Sequence, residues 1–307
     1  QFRAKSTIAF CQPYLKQNAV IADLGCGSGV LLNAFQQAGW KVLYGLDPAP
    51  NAHNQAKEMF SLTDVYTGVL SQAAEKLPLE QVDLICLMGV LEHLPMLREN
   101  LEVLIGNLSS KVKIMIEVPS IERFERNEFE PYGEFSLEHI QFFSAGTLNQ
   151  LMENLGFSPI DMSYMELPKG STDSLLCLFG RQVEQNSFVY EQAGIASYLN
   201  QSKMMIDSAI QTILSCESEQ FIIYGAGSHT ARLIPKLLGA GFSEKLLCLV
   251  DENINLQGKR MDGFTINSPD ELKHYPDATI IISSFRSQQN IAEALSARYP
   301  NLLLLLY

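Results

Sequence analysis

The sequence predicts an α/β protein with two successive units, each a mostly parallel sheet covered by helices. Two observations carry this. From Ala19 onward, short β-branched or leucine-rich runs alternate with longer helical patterns, and the same alternation restarts at Phe221. In addition, each unit opens with a glycine-rich loop directly after an apolar run, "DLGCGSG" at Asp23 to Gly29 and "YGAGSHT" at Tyr224 to Thr230. A loop of that kind is the usual place for a nucleotide in such a sheet.

In chain order, "AVIADL", "KVLYGL", "VDLICLM" and "KVKIMIEV" read as strands, because strands buried on both faces are near-continuous apolar runs. The helix "VLLNAFQQAG" stops at Gly39, and "SAGTLNQLMENLGF" begins on a serine cap at Ser144 and stops at Gly156. "SPIDMSYMEL" and "DSLLCLFGRQ" then supply two further strands, which sets the first domain at residues 1–182. Residues 183–220 read as a helical linker, with Ile195, Leu199, Ile206, Ile210 and Ile213 at helical spacing. Residues 221–307 form the second, smaller domain, with strands at "FIIYGAG", "LLCLVD", "FTI", "ATIIISSF" and "NLLLLLY".

Composition narrows the function. The chain is 47% hydrophobic and 18% charged, with no stretch approaching the roughly 20 apolar residues of a membrane span, so a cytoplasmic protein is expected. Its 22 basic and 34 acidic residues give a net charge of −12, and both halves are acidic. Neither half offers the positive field that nucleic-acid phosphates need, so a small-molecule substrate is expected instead. The six cysteines are scattered without a C-x-x-C pair, which points to reduced packing residues rather than a disulfide or zinc framework.

The first loop has the form of either a dinucleotide site or a site for an ammonium-bearing nucleoside. Asp23 lies two residues before Gly25, where a carboxylate would oppose a pyrophosphate but attract an ammonium group. Asp47 ends the next strand in "YGLDPAP", where a carboxylate can accept both ribose hydroxyls. "VDLICLMGVLEHLP" then places the polar pair Glu92 and His93 just beyond a buried strand that ends at Met88.

Taken together, "DLGCGSG … LD … LEHLP" resembles the class I S-adenosylmethionine-dependent methyltransferases over residues 1–182. The resemblance implies a seven-stranded Rossmann-like sheet, followed here by a second, smaller Rossmann-like domain, and S-adenosyl-L-methionine as cofactor. It implies that Asp23 meets the methionine amino group, that Gly25, Cys26 and Gly27 let the backbone approach the cofactor, and that Asp47, with Pro48 after it, holds the ribose. Leu70 would line the adenine, and the backbone of Met88 the sulfonium end. No acidic partner for the adenine amine stands beside Leu70 in "YTGVLS".

Beyond the fifth strand, "IERFERNEFEPYGEF" is an acidic, aromatic insertion that core periodicity does not explain, and it reads as a substrate loop. It leads into "SLEHIQFFS". That stretch resembles sugar methyltransferases, in particular the nucleotide-sugar C-methyltransferases, and the resemblance makes His139, Glu138 and His93 the catalytic candidates. His139 or His93 would remove a proton beside a keto group or from a hydroxyl, and Glu138 would orient or share it. Two departures stand out: Ser136 occupies the place of a family tyrosine, for which Tyr132 is the substitute at hand, and the cysteine-rich zinc domain of that family is absent from this sequence. Position 89, where a metal-dependent relative would carry a glutamate, is Gly89, so no metal is expected.

The second loop has Gly225 and Gly227, but Thr230 replaces the third glycine, and Asp251 ends the next strand. "VDENINLQGKRMDGFTINSPDEL" resembles the C-terminal domain of the nucleotide-sugar C-methyltransferases and also the N-terminal sugar-nucleotide domain of certain sugar acyltransferases. The site either holds a nucleotide at Gly225, Gly227 and Asp251 or serves only for packing, with His229 as a polar cap or a phosphate contact. The leading expectation is methyl transfer to a sugar carried as a nucleotide derivative; another small acceptor, such as a lipid or natural-product intermediate, and a non-catalytic cofactor-binding sensor stand as alternatives.

Overall fold

The computed structural model describes residues 2–125, 130–136, 138–167, 173–181, 188, 194–299 and 303–307. The chain divides into two compact units. The first comprises Gln1–Asn127 and Leu137–Ile195, the second Glu128–Ser136 and Ala196–Tyr307.

The first unit runs α1 (Phe2–Cys11), β1 (Val20–Leu24), α2 (Val30–Gln37), β2 (Val42–Asp47), α3 (Ala52–Phe60), β3 (Val65–Thr67), α4 (Ala73–Lys76), β4 (Leu84–Met88), α5 (Leu97–Ile105), β5 (Lys113–Pro119), α6 (Ala145–Asn154), β6 (Ser158–Met165) and β7 (Ser174–Gly180). Its seven strands are ordered β3-β2-β1-β4-β5-β7-β6. All pairs are parallel except those of β7, which is antiparallel to both β5 and β6. The sheet order reverses at β1, which pairs with β2 on one side and β4 on the other. The crevice outside the carboxyl ends of these strands is where ligands bind in open α/β sheets. Two apolar clusters cover the sheet, one built around Ile85, Leu87, Ile114 and Ile116, the other around Ile21, Phe35, Trp40 and Met115.

The helix signals read from the sequence have their physical counterparts. Ser144 caps α6, its hydroxyl accepting the Thr147 N–H at 3.0 Å, and Gly39 and Gly156 take the left-handed backbone that ends a helix. Part of the acidic insertion is structural rather than substrate-facing. Glu122 is buried and accepts the Ala145 N–H at 2.8 Å and the Ser120 hydroxyl at 2.5 Å, placing a carboxylate at the amino end of α6.

The second unit contains α7 (Ile195–Leu214), β8 (Phe221–Tyr224), α8 (Ser228–Gly239), β9 (Leu246–Val250), β10 (Arg260–Met261), β11 (Phe264–Asn267), β12 (Thr279–Ile282), α9 (Gln288–Ser296) and β13 (Leu303–Leu305). Its sheet order is β10-β11-β9-β8-β12-β13. The division differs from the sequence reading, which treated residues 183–220 as a linker. Helix α7 lays Ile206, Ala209, Ile210 and Ile213 into the core of the second unit, so it is part of that domain, while Leu199 stays 40% exposed. Residues 183–187 and 189–193 of that linker lie outside the described residues.

The end of the insertion also belongs to the second unit. There the Tyr132 N–H donates to Ser202 Oγ at 3.1 Å, the Glu134 N–H to Tyr198 Oη at 3.0 Å, and Arg232 pairs with Glu130 at 3.2 Å. Tyr132 packs, partly buried, against the second unit's core.

Candidate active site

The first glycine loop leaves β1 and turns into α2. Gly25 has φ +88°, and a Cβ there would lie 2.5 Å from Val90 Cγ2, so both the conformation and the space require glycine. The loop is fastened to β2: the Gly25 N–H donates to the Leu46 carbonyl at 2.7 Å, and Asp47 Oδ2 accepts the Gly27 N–H at 2.7 Å. Asp47 Oδ1 accepts the Ala49 N–H at 2.8 Å, which fixes the carboxylate at the strand end.

A cavity of about 380 Å³ opens here, lined by Gly25, Asp47, Pro48, Leu70, Val90 and His93 among others. Of the residues expected at the cofactor, Gly25, Asp47, Pro48 and Leu70 line it. Asp23, Cys26, Gly27 and Met88 are not among the lining residues. Cys26 is buried beside Gly45 with its thiol pushed up by burial and then by Asp23 and Asp47, and the Met88 side chain packs with the core cluster that contains Ile21 and Phe35. Gly68, Val69, Gly89, Val90 and Leu94 complete the lining. Only the apolar run "YTGVL" hinted at the first two, because lining residues in loops follow no periodicity.

Asp23 gives the best test of the expected cofactor. It is 2% exposed, and its Oδ1 has no hydrogen-bond partner among the described residues. Burial, and then the neighbouring Asp47, push its carboxyl up to about 7. A buried carboxylate oxygen without a donor is costly, and an ammonium group supplies the missing donors and charge. The residues present therefore fit S-adenosylmethionine: an acceptor for the amino group at Asp23, a carboxylate at the ribose position at Asp47, and an apolar wall at Leu70.

The catalytic candidates assemble at the edge of this cavity. His93 ends a short turn after β4, and its Nδ1 lies 2.9 Å from the Glu138 carbonyl oxygen. A carbonyl only accepts, so Nδ1 carries the hydrogen in this bond and Nε2 keeps its lone pair in the neutral ring. His139 follows directly, its ring centroid 4.9 Å from that of His93. Burial, and then His93, lower its pKa, which favours the neutral imidazole.

The segment is anchored by Glu92, whose backbone carbonyl accepts the Ile140 N–H at 2.8 Å and the Gln141 N–H at 3.1 Å. Glu138 thus contributes its backbone to His93, which residue type alone could not reveal. Sequence reading paired Glu92 with His93 but gave it no role. In the fold it is 3% exposed with Oε2 unpartnered among the described residues, and burial raises its pKa.

A methyltransferase domain family matches residues 2–161, more than half of the chain. The chain belongs to this methyltransferase family. A second family, described as C2185-like, N-terminal, matches residues 217–299. The chain is 26% identical over 160 residues to the C-methyltransferase NovU of Streptomyces niveus, covering 51% of this chain and 37% of that one. It is 28% identical over 156 residues to a tRNA U34 carboxymethyltransferase of Aliarcobacter butzleri, covering 49% of this chain and 51% of the relative. The chain thus spans about half or less of these curated relatives. A solved 1,6-didemethyltoxoflavin-N1-methyltransferase of Burkholderia thailandensis is similar with a TM-score of 0.46 and 17% identity, over 58% of this chain and 77% of that chain. The fold, the family and a pocket that fits S-adenosylmethionine agree. Among the described residues, no helix is long and apolar enough to cross a membrane.

In the second unit, a separate cavity of about 230 Å³ is lined by Gly225, Gly227, Ser228, Asp251, Ser283 and Arg286 among others. Asp251 Oδ2 accepts the Ala226 N–H at 2.7 Å, repeating the tie between Asp47 and the first loop. His229 is buried, with Nδ1 2.9 Å from Ser283 Oγ and Nε2 2.6 Å from Tyr307 Oη, and burial lowers its pKa to about 4. Both ring nitrogens are thus engaged, and burial favours the neutral ring. Thr230, in place of the third glycine, sets its hydroxyl 2.5 Å from the Gly225 carbonyl and 2.7 Å from Ser283 Oγ, fastening α8 to the ends of β8 and β12.

Proposed function

We propose that this chain transfers a methyl group from S-adenosylmethionine to a carbon or oxygen of a sugar, carried as a nucleotide derivative. The observation that carries the reading is the bond from His93 to the Glu138 backbone, which brings both imidazoles to the edge of the cavity that fits the cofactor. The partial similarity to the C-methyltransferase NovU supports a carbon acceptor, and the resemblance carried by "SLEHIQFFS" supports a sugar.

The cofactor supplies an electrophilic methyl carbon on a sulfonium. Asp23 accepts the ammonium, Asp47 the ribose hydroxyls, and Gly25 admits the backbone close to the ligand. His139 or His93 takes the proton from the acceptor carbon beside a keto group, or from a hydroxyl, and the electron pair left behind attacks the methyl carbon in line. The side chain of Glu138 orients or shares that proton. Within the second unit, Gly225, Gly227 and Asp251, with Arg286 beside them, form a nucleotide site of their own, the glycines by close backbone approach and Asp251 by its carboxylate.

The test is incubation of the full chain with isotopically labelled cofactor and a panel of nucleotide sugars, read by mass spectrometry. A one-methyl mass gain on a nucleotide sugar is expected. Transfer to other small molecules but to no sugar would overturn the acceptor, and no transfer to anything, with cofactor still bound, would favour a sensor.

A further inference from the structure

The absence of a ligand side chain at Gly89 argues against a metal only while the search stays within "GVLEH". The fold brings a third candidate from elsewhere. Glu92, His93 and His139 each present one ligand atom, and these atoms lie within 4.8 Å of one another. Metal to nitrogen and oxygen bonds of about 2.0–2.2 Å put ligand atoms at most roughly 4 Å apart, so small rotamer shifts close the set. Such shifts are available, because the His93 side chain is 41% exposed and His139 is half-buried.

Three features point to a ligand at this cluster. Glu92 Oε2 is buried and unpartnered, and such an oxygen lacks a cation or donor. His93 is oriented as a metal-binding imidazole usually is, its Nδ1–H donating to the Glu138 carbonyl at 2.9 Å while Nε2, 3.9 Å from Glu92 Oε1, keeps its lone pair. Arg3, whose charge acts on Glu92, is itself shared with Glu117, Nε to Oε1 and Oε2 at 2.8 and 2.7 Å.

We propose that Glu92, His93 and His139 bind one first-row divalent transition-metal ion at the edge of the cofactor cavity. Two imidazoles and a carboxylate suit zinc, cobalt, iron or manganese far better than magnesium, which prefers oxygen. The consequence, though not the binding, rests on the acceptor reading above. An ion here would hold the oxygen of a keto or hydroxyl group on the acceptor and make its proton easier to remove, and a histidine that leaves the ion in that step, or the Glu138 carboxylate, would take the proton.

The experiment titrates Co2+ into the metal-stripped full chain and follows visible d–d absorption, with Mg2+ as control. One equivalent of Co2+ should bind with a new absorption band. His139→Ala should weaken binding by at least about tenfold, the scale already found when only the support of a ligand is lost. Because Glu92 is buried, Glu92→Gln is read alongside S-adenosylhomocysteine binding, which reports an intact fold. No new absorption, unchanged affinity in His139→Ala, or a preference for Mg2+ would overturn the site. Methyl transfer to a sugar that persists in excess chelator would remove the ion from the reaction while leaving the acceptor reading intact. Cobalt binding without sugar methylation would do the reverse.

Discussion

His93 donates from Nδ1 to the carbonyl oxygen of Glu138, 45 residues further along the chain, at 2.9 Å. This bond fixes the tautomer of one imidazole and seats the next residue, His139, against it. His139→Ala should therefore lower the rate of methyl transfer by about 10² to 10⁴, the range for a positioned proton-transfer group. Affinity for S-adenosylhomocysteine should stay close to wild type, because His139 is not among the residues lining the cofactor cavity. Normal turnover in the variant would reduce His139 to a packing residue.

Asp23 predicts a pH dependence for the cofactor. With no ammonium beside it, its carboxyl is raised to about 7, first by burial and then by Asp47. Ligand binding favours the ionised form, so below that value binding must release a proton. Affinity for S-adenosylhomocysteine should rise with pH up to about 7, by at most about tenfold per unit, and then level off. Stability runs the other way. A carboxyl whose folded pKa is raised contributes most below its unfolded value of about 3.9, and the ligand-free protein loses that contribution as pH rises toward 7. Calorimetry at several pH values checks the first trend and thermal melts the second. Asp23→Asn should bind more weakly and flatten both.

Asp47 has a double role. Its carboxylate holds the Gly27 and Ala49 N–H groups and lines the cavity, where the proposed function gives it the ribose hydroxyls. Asp47→Ala should weaken cofactor binding by roughly 1.5–3 kcal/mol, the scale for a hydrogen bond to a charged group. Calorimetric affinities that match wild type would place the ribose elsewhere.

How much of this was legible depends on what kind of signal each feature leaves. Strands β1, β2, β4 and β5 could be read because strands buried on both faces are continuous apolar runs, and Asp23 and Asp47 because they end such runs. Helix α7 left a clear periodicity, but periodicity gives a helix its apolar face and says nothing of what that face covers, so the helix looked like a linker. The insertion misled in a similar way. Charge marks a loop as irregular, yet Glu122 is spent on the amino end of α6 and Glu130 on Arg232. Glu92 was visible as a polar neighbour of His93, whereas its burial and its oxygen without a partner among the described residues are properties of the fold that residue type does not mark.

Arg286 carries the prediction for the second unit. It is exposed and lines the cavity that also contains Gly225, Gly227 and Asp251. Its guanidinium is the cationic side chain at this cavity suited to a diphosphate, since the neighbouring His229 is held neutral by burial. Arg286→Ala should therefore weaken binding of a nucleoside diphosphate by roughly 1.5–3 kcal/mol, the scale for a charge-assisted hydrogen bond. Because the arginine is exposed, the fold should be unaffected. Cofactor affinity, measured in the same protein, should not change, because that site belongs to the first unit. Gly225→Ala should act differently: with φ +100° and a Cβ 2.8 Å from the Ser283 carbonyl oxygen, it strains the loop itself and should lower the melting temperature as well. Wild-type nucleotide binding in both variants would leave the second glycine loop with a packing role alone.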